Sequence, residues 1–139
     1  MSFGRAFVIL QMVNRNTLGK EEKLKRQRLI DDLFADGKRL SVSPISVTYR
    51  FEKSEAPGLQ VGVGASKKNF KKAVNRNRIK RLLREAYRLQ KGHILDAMRQ
   101  RQVSGYAFFI YTGKELPAYS VISEAMLFCL ARLQQKLPS

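Results

Sequence analysis

Between Tyr106 and Tyr111 six residues of apolar or aromatic character follow one another without a break, Tyr-Ala-Phe-Phe-Ile-Tyr. A strand sends successive side chains to opposite faces, so an unbroken run of this length has to be covered on both. That requirement calls for a sheet with material on each side. It has to be met within 139 residues, a length that suits one compact domain of about 100–150 residues. Phe108, Phe109 and Tyr111 accordingly read as core rather than as platforms for base stacking.

The rest of the chain supplies the covering elements. From Glu21 to Ala35, the residues Leu24, Leu29, Ile30, Leu33 and Phe34 recur on one side of a helix. Asp36-Gly37 ends it, because Gly enters the left-handed conformation at little cost. Ile45, Val47, Tyr49 and Phe51 then alternate with Ser46, Thr48, Arg50 and Glu52, which predicts a half-buried strand. After a turn containing Pro57-Gly58, Leu59, Val61 and Val63 alternate again and read as the hairpin partner of that strand. Gly62 and Gly64 leave its other face open to close approach by backbone or ligand. A basic connection over 66–72 leads into a helix over 73–89, with Ile79, Leu82, Leu83, Ala86 and Tyr87 on one side. Beyond the Thr112–Pro117 loop, Ser120 is the expected cap of a last helix running to Gln134. Val121, Ile122, Ala125, Cys129, Leu130 and Leu133 are its residues available for burial.

The order αββαβα predicts an α/β (α+β) two-layer sandwich on a three- or four-stranded mixed sheet, the fourth strand falling near Leu40–Val42. Residues 1–16 show no periodicity and read as a flexible N-terminal extension to a single domain over 17–139. Met12 stands at the end of that extension, so Met1–Gln11 is either a frayed terminus or a segment upstream of the start.

Charge narrows the function. The chain carries 27 Lys and Arg against 11 Asp and Glu, a net charge of +16. Thirteen of the cations and two of the acids lie between Ser66 and Arg101, leaving +11 in that segment and +5 in the flanks. Clustering on this scale costs self-repulsion unless a polyanion is the partner, which favours nucleic acid over an anionic membrane surface. Cys129 is the single cysteine and has no internal disulfide partner, which fits a reducing cytoplasm. No apolar run approaches the roughly 18 residues of a membrane span, and Ala6–Leu10 is shorter than a signal peptide's apolar region.

On a helix at about 100° per residue, Arg76, Asn77, Lys80, Arg81, Arg84 and Arg88 occupy one arc roughly 140° wide. Ile79, Leu82, Leu83, Ala86 and Tyr87 lie largely on the opposite side. Arginine suits RNA because its planar fork takes two phosphate oxygens or stacks on a base. A charged arc is usually just a solvated face. Here Glu85 is the helix's single acid, whereas a solvated helix normally mixes signs.

Competing signals are weaker. The third glycine of a dinucleotide fingerprint would fall at Lys67, and no GxxxxGK[ST] run exists. His93, the single histidine, sits in Lys91-Gly92-His93 at an expected helix end, which suits an exposed role better than catalysis. Cys129 reads as a buried structural thiol among Leu127, Phe128 and Leu130. Asp31 and Asp32 point differently on a helix and read as solvated acids. No residue is therefore assigned as catalytic or metal-binding. A DNA-binding regulator is disfavoured because strand and basic loop, rather than a second helix across a short turn, precede the basic helix. A ribosome-associated or other structural RNA-binding protein would use the same helix and stays open.

At this point the chain resembles a known family. NRNRIKRLLREAYR resembles the arginine-asparagine-arginine helix of the bacterial ribonuclease P protein family, VGVGASKK its preceding strand, and LKRQRLIDDLFADGKR its first helix and the following turn. The resemblance covers roughly residues 24–133, with the segments in the family's order. It implies a protein subunit that binds the catalytic RNA and the 5′ leader of precursor transfer RNA, while that RNA carries out magnesium-dependent hydrolysis. No membrane and no small-molecule substrate are implied. Arg76, Asn77, Arg78, Lys80, Arg81, Arg84 and Arg88 would face RNA, with Ser66, Lys67, Lys68, Lys71 and Lys72 along the approach. The leader cleft would lie between the first helix and one sheet face. Phe34 stands at an aromatic position of that cleft, and Ile30 stands where the family often has another aromatic. The loop over 69–75 is one residue longer than common versions. The family's crossover into the parallel strand is left-handed, against the usual rule.

Overall fold

The computed structural model describes residues 28 and 30–138. The expected extension over 1–16, the two candidate starts, and Leu24 and Leu29 of the first helix lie outside the described residues. Arg28 and residues 30–36 form the described part of α1. It is followed by β1 (Lys38–Val42), β2 (Ile45–Lys53), β3 (Gly58–Ala65), α2 (Ala73–Gln90), α3 (Gly92–Arg101), β4 (Val103–Tyr111) and α4 (Tyr119–Gln135).

The strands form one mixed sheet in the order β1-β2-β4-β3. β4 is antiparallel to β2 along its whole length, from Ile45↔Tyr111 to Lys53↔Val103, and parallel to β3 from Gly58↔Ser104 to Ala65↔Tyr111. The expected hairpin between β2 and β3 is therefore corrected: β4 inserts between them. The reason lies in the unbroken apolar run of β4, since a strand apolar on both faces belongs at the centre of a sheet. The turn after β2 carries the chain past the mouth of β4, where Ser54 N–H donates to Gln102 O at 2.8 Å. The parallel β3–β4 pair needs a long crossover, which α2 and α3 provide.

Alternation divides β4 between two environments. Ala107, Phe109 and Tyr111 join Ile45, Val47, Tyr49, Val61 and Val63 in the main core. Three helices cover this face with fully buried side chains, among them Ile79 and Leu83 of α2, Ile94 and Met98 of α3, and Ile122, Met126, Cys129 and Leu133 of α4. Each large apolar side chain buried here contributes about 1.5–3 kcal/mol. Phe108 belongs to the opposite face, where α1 crosses the sheet and buries Leu33.

Four further expectations change. The sequence does not announce α3, because Gly92 reads as a stop. Lys91 instead stays in helical conformation, and Ile94, Ala97 and Met98 at helical spacing anchor the new helix in the core. His93 thus lies exposed in the first turn of α3 rather than at a helix end. Helix α4 begins at Tyr119 with Ala118 as its N-cap and no side-chain capping bond, so Ser120 is not the cap. Val121 faces solvent, as do Leu127 and Phe128. Gly37 does end α1, but without a left-handed φ. Its N–H donates to Leu33 O at 2.6 Å, and a Cβ there would collide with that oxygen and lie 2.9 Å from Thr48 Cγ2. No helix among the described residues is long and apolar enough to cross a membrane.

Candidate nucleic-acid interface

The sheet face that α1 crosses holds a cleft of about 620 Å³. Its floor is made by glycines and an aromatic ring acting together. Gly62 pairs with Phe108 and Gly64 with Ile110 across β3 and β4. A Cβ on Gly62 would lie 2.5 Å from Phe108 Cδ2, and one on Gly64 3.0 Å from Phe108 Cε1. The Phe108 ring therefore lies down over both glycines. This is the close approach that the two glycines permit, and its agent is a side chain of the same sheet. Ile30 and Phe34 of α1 form one wall, and Phe34 meets Phe108 edge-on.

The other wall is basic. Ser66, Lys67, Arg76 and Lys80 line it, so the two sets of residues singled out in the sequence, basic and apolar, meet in one cavity. Local bonding explains how the loop reaches this place. Ser66 Oγ accepts from Lys68 N–H at 3.1 Å and from Asn69 N–H at 3.4 Å, turning the chain back after β3. Phe70 is buried against Tyr111, with ring centroids 5.9 Å apart, and pins the loop to the core. Arg76 Nη1 donates to Phe70 O at 2.7 Å and to Lys71 O at 2.9 Å. Arg76 thus ties the start of α2 to the loop, and its guanidinium is part of the scaffold as well as of the cleft wall.

The other residues expected to face RNA lie outside the cleft. Lys68, Lys71, Lys72, Asn77, Arg78, Arg81 and Arg84 are exposed on the loop and along α2. Arg88 is exposed too, but it forms an ion pair with Glu85 at 2.6 Å, which holds the Glu85 carboxyl below the usual carboxylate range. The charge of Arg88 is thus partly compensated within its own helix. On the buried side, burial pushes the Tyr87 hydroxyl well above its ordinary range, consistent with its packing against Phe109. Among the described residues no three His, Cys, Asp or Glu side chains converge.

Three residues that build the cleft are not recognisable as such from the sequence. Phe108 reads as core, yet it is half-buried and forms the cleft floor. Ile110 lies beside it, and Phe70 anchors the loop. The alternation within β4 and the paired glycines of β3 contain the signal for Phe108, but using it requires knowing that β3 and β4 are neighbours.

Comparison with known proteins places this geometry in a family. The model of the family described as ribonuclease P matches residues 18–133. The chain belongs to the ribonuclease P protein family. A ribonuclease P protein component of Porphyromonas gingivalis is 37% identical over 123 residues, spanning 88% of this chain and 90% of the relative. One from Chlorobium phaeobacteroides is 40% identical over 87 residues, 60% of each chain. Among solved structures, the RNase P protein from Thermotoga maritima superposes with a TM-score of 0.61 at 26% identity, covering 76% of this chain and 92% of that one. The Staphylococcus aureus RNase P protein, at 20% identity and a TM-score of 0.57, covers 75% and 87% respectively and supports the fold. The ribonuclease P match takes in the whole cleft and the whole basic segment.

Proposed function

We propose that this chain is the protein subunit of ribonuclease P, binding the catalytic RNA and the 5′ leader of precursor transfer RNA. The observation that carries the reading is the convergence of Phe34 and Phe108 with Lys67, Arg76 and Lys80 on one cleft, within the segment matched by the family. Aromatic faces accept any base, and cations track the phosphates between bases, so the combination suits a single strand of variable sequence. The exposed stripe of Arg78, Arg81 and Arg84, with Asn77 and the lysines of the loop, would then meet the catalytic RNA through its backbone.

The hydrolytic chemistry belongs to the RNA in this reading. Among the described residues the cleft lining offers cations, a hydroxyl and apolar groups, with no carboxylate or imidazole to act as general base. The magnesium that the reaction requires is likewise a matter for the RNA. Mg²⁺ takes hard oxygen ligands, chiefly carboxylates and phosphates, and a lining of Lys67, Arg76 and Lys80 does not suit it. A cytoplasmic setting follows from the partners.

The deciding experiment measures precursor transfer RNA cleavage at low magnesium, with the catalytic RNA alone and with this protein added. Stimulation of cleavage at the mature 5′ end is expected, together with no such cleavage by the purified protein free of catalytic RNA. Site-specific cleavage that survives nuclease removal of contaminating RNA, followed by nuclease inactivation, would put the chemistry in the protein.

A further inference from the structure

The loop between β3 and α2 has a symmetrical pattern, Lys67-Lys68-Asn69-Phe70-Lys71-Lys72. All four lysines are exposed, whereas Phe70 is buried and Asn69 half-buried. Two neutral residues at the centre thus turn inward, and two pairs of cations stand outside. Cations this close repel one another, so a loop without attachments would spread them. Arg76 secures the second half of the loop through Phe70 O and Lys71 O. The first half carries Lys67, which lines the cleft. Its bonds to Ser66 Oγ are local and turn the chain without fixing it to the rest of the fold.

Asn69 supplies an attachment for that half. Its Nδ2 donates to Gly113 O at 3.3 Å, joining residues 44 positions apart. The acceptor lies in a loop that is itself tied down on both sides. Before it, Thr112 donates to Pro44 O from its N–H at 2.8 Å and from Oγ1 at 2.9 Å. After it, Glu115 O accepts the Tyr111 hydroxyl at 2.7 Å. A Cβ on Gly113 would collide with that hydroxyl oxygen, so the bare glycine lets the loop close over Tyr111. The Tyr111 ring also packs against Phe70. Tyr111 therefore touches both loops, one with its ring and the other with its hydroxyl, and the Asn69–Gly113 bond closes the circuit.

We propose that Asn69 is a positioning residue for leader binding: it latches the loop to Gly113 and so holds Lys67 in the cleft wall before RNA arrives, with Tyr111 as the buttress behind the latch. A group held in its binding position beforehand has less freedom to lose on association, and the difference is read as affinity. The inference rests on the proposed function, because it takes a phosphate of single-stranded RNA as what Lys67 meets. Tyr111 is 5% exposed, so it reaches RNA through the loop and not by contact.

The test reconstitutes catalytic RNA with the full chain carrying Asn69→Ala, Tyr111→Phe or both. Tyr111→Phe keeps the ring against Phe70 and removes the bond to Glu115 O. Holoenzyme affinity is measured for precursor and for mature transfer RNA, together with the single-turnover cleavage rate at saturating holoenzyme. Each single variant should bind precursor several-fold more weakly, with the affinity for mature RNA and the saturated rate at their wild-type values. The double variant should bind no more weakly than the weaker single one, because both changes open the same circuit. Losses that fall equally on the two RNAs and follow the folded fraction would reduce Asn69 to a structural role and overturn the inference. A defect confined to one of the two variants would break the circuit and overturn it as well, as would wild-type affinity in both. A wild-type holoenzyme that binds precursor no better than mature RNA would remove the proposed function, and the inference with it.

Discussion

The ring of Phe34 stands edge-on to that of Phe108, with centroids 5.3 Å apart and planes at 67°. The pair joins α1 to the sheet face opposite the main core, and both rings line the cleft. Because Phe34 is only half-buried, Phe34→Ala should cost about 1–2 kcal/mol, less than the roughly 3–5 kcal/mol of a fully buried phenylalanine. In the holoenzyme its affinity for precursor transfer RNA should fall more than its affinity for the mature form. Equal losses for the two RNAs, with a large drop in melting temperature, would show that packing is its whole role.

Gly62 gives a second handle on the same floor. The Cβ of Gly62→Ala would sit 2.5 Å and 2.7 Å from Phe108 Cδ2 and Cε2, so the ring has to move. Overpacking of this kind costs about 1–3 kcal/mol. Gly64→Ala, whose Cβ would meet Phe108 Cε1 at 3.0 Å, should be milder. Adding Phe108→Leu to Gly62→Ala should recover stability relative to the single variant. A double-mutant cycle by urea denaturation measures this, and strict additivity would show that the ring is not what Gly62 accommodates.

Arg76 and Arg81 should separate scaffold from surface. Arg81 is exposed, so Arg81→Ala is expected to flatten the salt dependence of RNA binding while leaving the fold unchanged. Arg76→Ala removes the two bonds to Phe70 O and Lys71 O, so it should also loosen the loop. Limited trypsin digestion, followed by mass spectrometry, should show faster cleavage after Lys71 and Lys72 in Arg76→Ala alone. Identical digestion of the two variants would remove the scaffolding role.

Burial pushes the Cys129 thiol up from 9 to about 11. Between those values the unfolded thiol loses its proton and the folded one keeps it. The native state then binds more protons, so stability falls as pH rises through this window, and this group contributes no slope below it. Urea midpoints at pH 9 and pH 10 should show a larger decline for the wild type than for Cys129→Val. The tyrosines, whose ordinary value is 10, titrate over the same interval in both proteins, so the difference between the two declines isolates the thiol. Equal declines would mean that the thiol is solvated in the native state.

The elements were legible where burial repeats locally. The core stripe of Ile79, Leu83 and Ala86 stands on α2 as its spacing requires, and the alternation of Ile45, Val47 and Tyr49 stands on β2. Legibility ended where one residue carried two meanings. Gly92 suggested a stop, but a Cβ there would meet nothing within 4 Å, and the helix resumes because Ile94, Ala97 and Met98 have a core to enter. Val121 and Phe128 are apolar but exposed, since apolarity does not say which side of a helix finds a neighbour.

What the sequence determined by itself is what short-range periodicity and composition encode: the strands and the main helices, the doubly covered β4, the basic arc of α2 and a polyanionic partner. Each depends on residues within a few positions of one another, or on charge summed along the chain. Tertiary structure alone decided which strands are neighbours, and the cleft follows from that choice. Phe108 could have served as core or as cleft floor until β3 was paired in parallel beside it and brought Gly62 and Gly64 beneath its ring. Strand order is settled by the competition of whole faces for burial, and no window of sequence contains both competitors.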